Sequence, residues 1–172
     1  GNTRASGNVN PPYTVPWAFD NDFPAVGTDL HKGSAEADAR DSGEPSALFR
    51  SEPVAGRCRV LCYHPDHSKT LADMNEGEAL AVVQMWASEV GALRQSHQWV
   101  QVFENRGEIM GCSNVHPHGQ IWAVDKLPNE AAKELAQQQA FFDAEGLALL
   151  EVYRAEEERL AKRVVIQEEH WT

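Results

Sequence analysis

Two histidines and a glutamine stand at alternate positions in the second half of the chain. His116 and His118 are followed by Gln120, within the run Gly-Cys-Ser-Asn-Val-His-Pro-His-Gly-Gln-Ile-Trp. In an extended strand these three side chains share one face, which is not how a packed core is built. A pair of histidines with this spacing is as often a surface feature, so the flanking residues decide between the two interpretations. Neutral imidazole can attack phosphorus or bind a metal, and this is the chemistry that we expect here.

Four other segments accompany the histidine segment in a fixed order. They read Phe-Asp-Asn-Asp-Phe-Pro at 19–24, Tyr-His-Pro-Asp-His-Ser-Lys-Thr at 63–70, Trp-Val-Gln-Val-Phe-Glu-Asn at 99–105 and Leu-Pro-Asn-Glu at 127–130. With residues 111–122 they resemble the galactose-1-phosphate uridylyltransferase family, a branch of the histidine-triad superfamily that has glutamine in place of the third histidine. The resemblance covers essentially the whole chain. It implies an α+β fold, a histidine-triad-like half-barrel of mainly antiparallel strands with flanking helices.

The resemblance also implies an activity. A member of this family moves UMP from UDP-glucose to galactose 1-phosphate through a covalent uridylyl-histidine, in ping-pong fashion, and yields UDP-galactose and glucose 1-phosphate. His118 would be the nucleophile, and Gln120 would donate to the phosphoryl oxygens. An amide cannot shuttle a proton as a third histidine could, so Gln120 favours a phosphate acceptor over water, which benefits from a general base.

Further site residues follow from the same resemblance. It places these residues on the nucleotide or its phosphates: Ala5, Asn21, Asp22, Phe23, Val60, Phe103, Asn105, Gly111, Cys112, Ser113 and Gln120. On local grounds alone, Asn21 and Asp22 form a turn before Phe-Pro. Cys112 could also be read as a nucleophile, but no thiolate-stabilising partner marks it.

Metal binding is expected at two places, again from the resemblance. His67 and His116 would bind zinc together with two cysteines just upstream of Gly1. Glu134 would bind a second metal, such as iron, with histidines of a second half of the full-length protein. Cys58 and Cys62 share a strand face and could bind metal, yet free cysteines behave as small hydrophobes, which favours a buried structural role. We expect His64 to be a solvated loop residue.

Composition narrows the class of protein. The chain has 172 residues, 42% of them hydrophobic, a net charge of −11 and three cysteines. The negative charge argues against nucleic acid as a partner, and no apolar run is long enough to cross a membrane. An odd, small number of cysteines favours a reducing cytoplasm. The resemblance implies that residues 1–172 are the N-terminal domain of a longer, homodimeric enzyme, truncated at both ends and without its second repeat.

Hydrophobic periodicity predicts the elements that hold these residues. We expect strands at 17–19, 57–63, 99–104 and 163–167, helices at 74–95, 131–142 and 147–160, and a surface loop at 27–53. The first helix should bury a stripe of residues spaced by three and four. Its members are Leu80, Val83, Trp86, Val90 and Leu93.

Two alternative functions stay open at this point. One is an adenine-nucleotide-sugar phosphorylase of the same superfamily, which would share His116, His118 and Gln120. The other is a catalytically incomplete, zinc-stabilised fragment that binds nucleotide without forming a covalent adduct. Nucleotide preference distinguishes the first alternative, and adduct formation distinguishes the second.

Overall fold

The computed structural model describes residues 3–5, 7–28, 53–112 and 114–171. The chain divides into two compact units, Gly1–Lys126 and Leu127–Thr172. The described elements are β1 (Trp17–Asp20), β2 (Gly56–Cys62), a 3-10 turn (Leu71–Asp73), α1 (Glu76–Leu93), β3 (Trp99–Phe103), a second 3-10 turn (Glu108–Met110), β4 (His118–Val124), α2 (Asn129–Glu145) and α3 (Leu149–Leu160). The predicted α+β class is confirmed. Most of the predicted loop at 27–53 lies outside the described residues, as does Ser113.

The first unit is built on an antiparallel sheet. Its described strands have the order β1-β2-β4-β3. The histidine strand β4 therefore lies inside the sheet, between β2 and β3. Residues paired across antiparallel strands share a face, so Gln120 lies between Val60 of β2 and Phe103 of β3. His118 is paired with Cys62. The site residues of β4 thus have neighbours on both sides.

The other face of the sheet carries the hydrophobic core. Leu61, Ile121 and Ala123 are completely buried there, together with Val82 of α1. These residues alternate along β2 and β4 with those that face the site, as the two-residue period of a strand requires. Burial of this face fixes the register, because a slip of one residue would move the core side chains to the site face.

Helix α1 begins with a capping box and packs on the core face. Asn75 accepts a hydrogen bond from the Glu78 main-chain N–H at 3.0 Å, and Glu78 accepts from the Asn75 N–H at 2.8 Å. The predicted stripe is wrong at two positions, because Leu80 and Val83 are 54% and 50% exposed. The core instead contains Val82 with Leu93, and Met85 and Trp86 pack against it. Helix α1 is apolar on more than one side, so two neighbouring stripes fit its sequence, and only contact with the sheet selects between them.

Gly119 is required where β4 crosses the core. A Cβ at this position would lie 1.9 Å from the hydroxyl oxygen of Tyr63 and 2.9 Å from the carbonyl oxygen of Phe103. The Tyr63 side chain is only 1% exposed and cannot easily move away. The glycine between His118 and Gln120 is therefore explained by packing on the opposite face of the strand.

The second unit contains helices α2 and α3. Helix α2 ends at Gly146, which adopts a left-handed conformation with φ 68° and donates its N–H to the Phe142 carbonyl. The predicted strand at 163–167 is wrong, since these residues form no strand. Val165 and Ile166 are 92% and 65% exposed, and β-branched residues form a strand only where a partner supplies the ladder. Among the described helices, none combines the length and apolarity needed to span a bilayer.

Candidate active site

The ring of His118 is oriented by a hydrogen bond to the main chain. Its Nδ1 lies 2.7 Å from the carbonyl oxygen of His116. A carbonyl can only accept, so Nδ1 carries the proton and donates it. In the neutral ring the lone pair is then on Nε2. This is the nitrogen that could attack an electrophilic centre.

His118 and Gln120 form part of the floor of a pocket on the site face of the sheet. The first pocket has a volume of about 510 Å³. Its lining residues are Asn10, Pro11, Tyr13, Phe19, Asn21, Asp22, Phe23, Val60, Cys62, His67, Asn114, His116, His118 and Gln120. The pocket therefore brings together most of the polar residues that the sequence singles out, although they come from distant segments.

His116 lies just before β4 and contacts a second histidine. Its Nδ1 is 3.0 Å from Nδ1 of His67, and its Nε2 is 2.5 Å from the hydroxyl of Tyr13. Burial lowers the pKa of His116, and the neighbouring imidazoles of His67 and His118 lower it further. These effects favour the neutral ring, in which one nitrogen carries the proton and the other has a lone pair.

The two facing imidazoles suit part of a zinc site. Zinc in structural sites takes four nitrogen or sulfur ligands in a tetrahedron. His67 and His116 supply two nitrogens, and the described residues bring no third His, Cys, Asp or Glu to them. Glu134, predicted as a ligand of a second metal, is exposed on α2 in the second unit. The chain thus fits half of one zinc site.

The turn after β1 carries the three predicted nucleoside contacts. The side-chain carbonyl of Asn21 accepts from the N–H of Phe23 at 2.9 Å, which is the local turn that Asn favours. The Phe23 side chain is 81% exposed at the pocket. Asp22 accepts a hydrogen bond from the N–H of Ala5 at 3.0 Å. The structure therefore brings Ala5 and the turn together, while their contact with a nucleoside stays a prediction.

Arg4 holds Asp22 in place. Its Nε and Nη2 lie 3.0 and 2.5 Å from Oδ1 of Asp22, and Nη2 also donates to the carbonyl of Asp20. The guanidinium carbon sits 4.5 Å above the centre of the Phe19 ring, a cation–π contact. The hydrogen bond from Arg4 lowers the pKa of Asp22, so this carboxylate is ionised at neutral pH. Ionised Asp22 can accept further hydrogen bonds only at lone pairs that Arg4 and Ala5 leave free.

A second pocket lies on the other side of His116 and His118 and has a volume of about 450 Å³. Asn105 and Cys112, both predicted as phosphate contacts, line it. The N–H of Gly111 already donates to the Glu108 carbonyl at 2.9 Å, and the Cys112 thiol donates to the Asn114 carbonyl at 2.9 Å. Binding of phosphate by the Gly111 N–H would require this turn to open.

Three other sequence predictions can be located. Cys58 and Cys62 are both buried and free, at 2% and 8% exposure, and Cys62 also lines the first pocket. The expectation that His64 is solvated is wrong, because its side chain is only 19% exposed. It lies 3.3 Å from a Glu78 carboxylate oxygen and accepts from the Asp66 N–H at 3.0 Å. His64 therefore ties the His67 loop to the start of α1.

Sequence reasoning missed Tyr13 and Arg4. Both lie in a segment rich in Gly, Asn and Pro, a composition that indicates only a loop. Tyr13 contacts a residue 103 positions away, and Arg4 contacts one 18 positions away. No local sequence pattern predicts such contacts. The only local signal is that an aromatic and a cationic residue stand in an otherwise polar loop.

Fold and site together define an α+β protein with a pair of histidines facing a pocket from an interior antiparallel strand. The chain belongs to the galactose-1-phosphate uridyl transferase family, whose N-terminal domain model matches residues 1–128. Galactose-1-phosphate uridylyltransferase from Rattus norvegicus is 43% identical over 172 residues, which are 99% of this chain and 43% of that protein. The Haemophilus influenzae enzyme of the same name is 41% identical over 170 residues, covering 99% of this chain and 46% of that protein.

A solved structure of a uridylyltransferase mutant shares the fold. Its TM-score is 0.72 at 20% identity, over 96% of this chain and 50% of that one. The chain therefore spans about half the length of the curated relatives that it matches. The activity of the complete relatives is accordingly considered below as a proposal.

Proposed function

We propose that this chain carries the nucleophile of a transferase that moves UMP from UDP-glucose to galactose 1-phosphate. The observation that carries the proposal is the 2.7 Å contact from Nδ1 of His118 to the His116 carbonyl, which leaves Nε2 unprotonated. The relatives from rat and Haemophilus influenzae, both named galactose-1-phosphate uridylyltransferase, support the same substrates.

The reaction consists of two displacements at one phosphorus. Nε2 of His118 attacks the α-phosphorus of UDP-glucose, and the bond to the bridging oxygen breaks with its electron pair on glucose 1-phosphate. A phosphate oxygen of galactose 1-phosphate then attacks the same phosphorus, and the N–P electron pair returns to Nε2. The Nδ1 proton stays on the ring throughout, held by the His116 carbonyl. One nucleophile that serves two transfers predicts ping-pong kinetics.

Gln120 is suited to support both displacements. It lies two residues after His118 on the same strand face and lines the same pocket. Its amide can donate to the non-bridging oxygens as their charge changes, and one such pre-positioned donor is typically worth about 2.7–4 kcal/mol. It cannot take a proton from water, so the site favours an acceptor that already carries an ionised oxygen.

The two pockets suggest where the substrates bind. We assign the nucleoside to the first pocket, where Val60 lies beside Gln120 and the Asn21 turn forms a wall. Phe103, which does not line this pocket, is paired with Gln120 on β3 and stays a predicted contact. We assign the phosphates to the space between His118 and Asn105, in the second pocket. Ser113 and Gly111 stay predicted phosphate contacts.

The same proposal includes bound zinc, a second bound metal, dimerisation and a cytoplasmic location. His67 and His116 would hold zinc with two ligands from outside the described residues, and the metal would fix the two rings structurally. A second metal such as iron would bind Glu134 in the full-length protein. That protein would be a cytoplasmic homodimer.

Intact-mass measurement after incubation with UDP-glucose tests the mechanism. We expect the chain to gain the mass of one uridylyl group, to lose it on addition of galactose 1-phosphate, and to gain nothing when His118 is replaced (His118→Asn). The full-length rat relative is the control for assay conditions. If the relative forms the adduct and this chain does not, the chain alone lacks a complete site. An adduct formed only with ADP-glucose would instead favour the phosphorylase.

A further inference from the structure

Tyr13 makes a contact with the site that the proposed mechanism does not use. Its hydroxyl lies 2.5 Å from Nε2 of His116, although the two residues are 103 positions apart. Tyr13 also lines the first pocket, together with Cys62. Burial raises the pKa of the Tyr13 hydroxyl well above its ordinary value, so the group keeps its proton.

The ring of Tyr13 is held by an aromatic stack. It lies 5.7 Å from the ring of Trp17, with 24° between the planes, and Trp17 in turn lies 4.7 Å from Phe19 at 22°. Trp17 and Phe19 belong to β1 and project from the site face of the sheet. The position of the hydroxyl is thus set by the sheet and not by the surrounding loop.

The hydroxyl reaches His118 through one further residue. His116, whose ring Tyr13 contacts, supplies the carbonyl that accepts the Nδ1 proton of His118. The main chain makes one hydrogen bond on either side of the His116 carbonyl: the His116 N–H donates to the side chain of Asn114 at 2.9 Å, and the Pro117 carbonyl accepts from the Tyr63 N–H at 3.0 Å. Tyr13 fixes the side chain between these two anchors.

We propose that Tyr13 is a positioning residue, which holds the ring of His116 and thereby keeps the His116 carbonyl aligned with Nδ1 of His118. Its role in the reaction rests on the proposed function, but its effect on the tautomer of His118 does not. A hydroxyl is needed for this role, whereas phenylalanine would satisfy the stack on Trp17 alone. The substitution Tyr13→Phe therefore separates positioning from packing.

The tautomer of His118 gives a readout that is independent of turnover. In protein labelled with ¹⁵N-histidine, long-range ¹H–¹⁵N spectra show which ring nitrogen carries the proton. We expect Nδ1–H alone for His118 in the original chain and a mixture of both tautomers in Tyr13→Phe. Tyr153→Phe, a change in the second unit, is the matched control and should leave the spectrum of His118 unchanged.

The rate of adduct formation is the second readout. Partners that orient a functional histidine are typically worth about 10- to 100-fold. We expect Tyr13→Phe to slow adduct formation about tenfold at saturating UDP-glucose, with less than about twofold change in the half-saturating concentration. A folded Tyr13→Phe protein with an unchanged His118 tautomer and an unchanged rate would overturn the proposal.

Two further outcomes are distinguishable. If the original chain forms no adduct, the proposed function fails in this chain, and the spectra alone decide the role of Tyr13. If Tyr13→Phe does not fold, a difluorotyrosine at position 13 keeps the ring and makes the hydroxyl more acidic. The Nε2 resonance of His116 should then shift, and an unshifted resonance would contradict the contact on which the proposal depends.

Discussion

Gln120 is the residue at which the choice between a phosphate acceptor and water can be tested. It is paired with Val60 and Phe103 on the neighbouring strands and lines the first pocket. Histidine at this position (Gln120→His) could accept a proton from water, which an amide cannot. We expect the covalent intermediate of Gln120→His to hydrolyse about 100-fold faster in the absence of galactose 1-phosphate, the low end of what a positioned general base contributes. The decay of adduct mass with time measures this rate, and an equally long-lived adduct would contradict the argument.

Arg4 should affect binding more than chemistry. It holds Asp22 at the wall of the first pocket, and Arg4→Ala would release both this carboxylate and the Ala5 segment that it anchors. We expect the dissociation constant for UDP-glucose to rise about tenfold, equivalent to about 1.4 kcal/mol, with little change in the adduct rate at saturation. Calorimetric titration measures the constant.

A matched arginine gives the control for this prediction. Arg154 pairs with Glu151 and Glu158 on α3 and does not line the first pocket, so Arg154→Ala removes the same charge without changing the pocket lining. Arg4→Lys should recover only part of the affinity, because an ammonium cannot reproduce the forked contact of a guanidinium. Equal affinities for Arg4→Ala and Arg154→Ala would show that Asp22 is not part of the binding site.

At the residue scale, the sequence predicts the residues that could react better than it predicts the residues that hold them in place. His116, His118 and Gln120 are recognisable because their spacing matches the period of a strand, and the structure brings all three to one pocket. Tyr13 and Arg4 reach the site only through contacts that the fold creates. Their side chains carry no periodic signal, so they could not be found before the sheet was known.

At the scale of elements, Gly119 joins the site face to the core. Gly119→Ala would place a methyl group against the buried Tyr63 hydroxyl and the Phe103 carbonyl, and overpacking of this kind typically costs about 1–3 kcal/mol. We expect a lower midpoint in urea, and partial recovery in Gly119→Ala combined with Tyr63→Phe, since the closest clash is with the hydroxyl. Gly91→Ala in α1, where a Cβ meets nothing within 4 Å, should instead stabilise the chain by about 0.5–1 kcal/mol. If Gly119→Ala lowered the free energy of unfolding no more than Gly91→Ala does, this explanation of Gly119 would be refuted.

The sequence predicts a strand correctly where its own pattern implies a sheet. It fails where the presence of a pairing strand decides whether a strand forms. The strands around Cys62, Phe103 and His118 alternate in a way that already requires a sheet with one buried face. The run Val164-Val165-Ile166 has equally strong β propensity but forms no strand, because none of the strands in the described part of the chain pairs with it. Propensity alone cannot supply the ladder of hydrogen bonds that makes a strand.

On the scale of the whole molecule, lowering the pH should have two separate effects, one on solubility and one on stability. The net charge is −11 at pH 7 and the isoelectric point is about 5.0, so repulsion between molecules is weakest near pH 5. We expect the lowest solubility there without loss of structure. Light scattering and circular dichroism on the same samples would separate association from unfolding.

Unfolding should begin at lower pH, where paired carboxylates take up protons. Hydrogen bonds from Arg57 and Arg59 lower the pKa of Asp20, which joins β1 to β2. A carboxylate with a depressed pKa stabilises the fold above its unfolded value of about 4, and this contribution is lost as the pH falls through the folded pKa. The stability measured in urea should therefore decline below about pH 4, and Asp20→Asn should make that decline shallower. Both effects should weaken in high salt, because Asp20 is half exposed.

Glu130→Gln, which removes an ion pair within a single helix, is the control for this prediction. If the stability of Glu130→Gln responded to acid in the same way as that of Asp20→Asn, the acid response could not be assigned to Asp20.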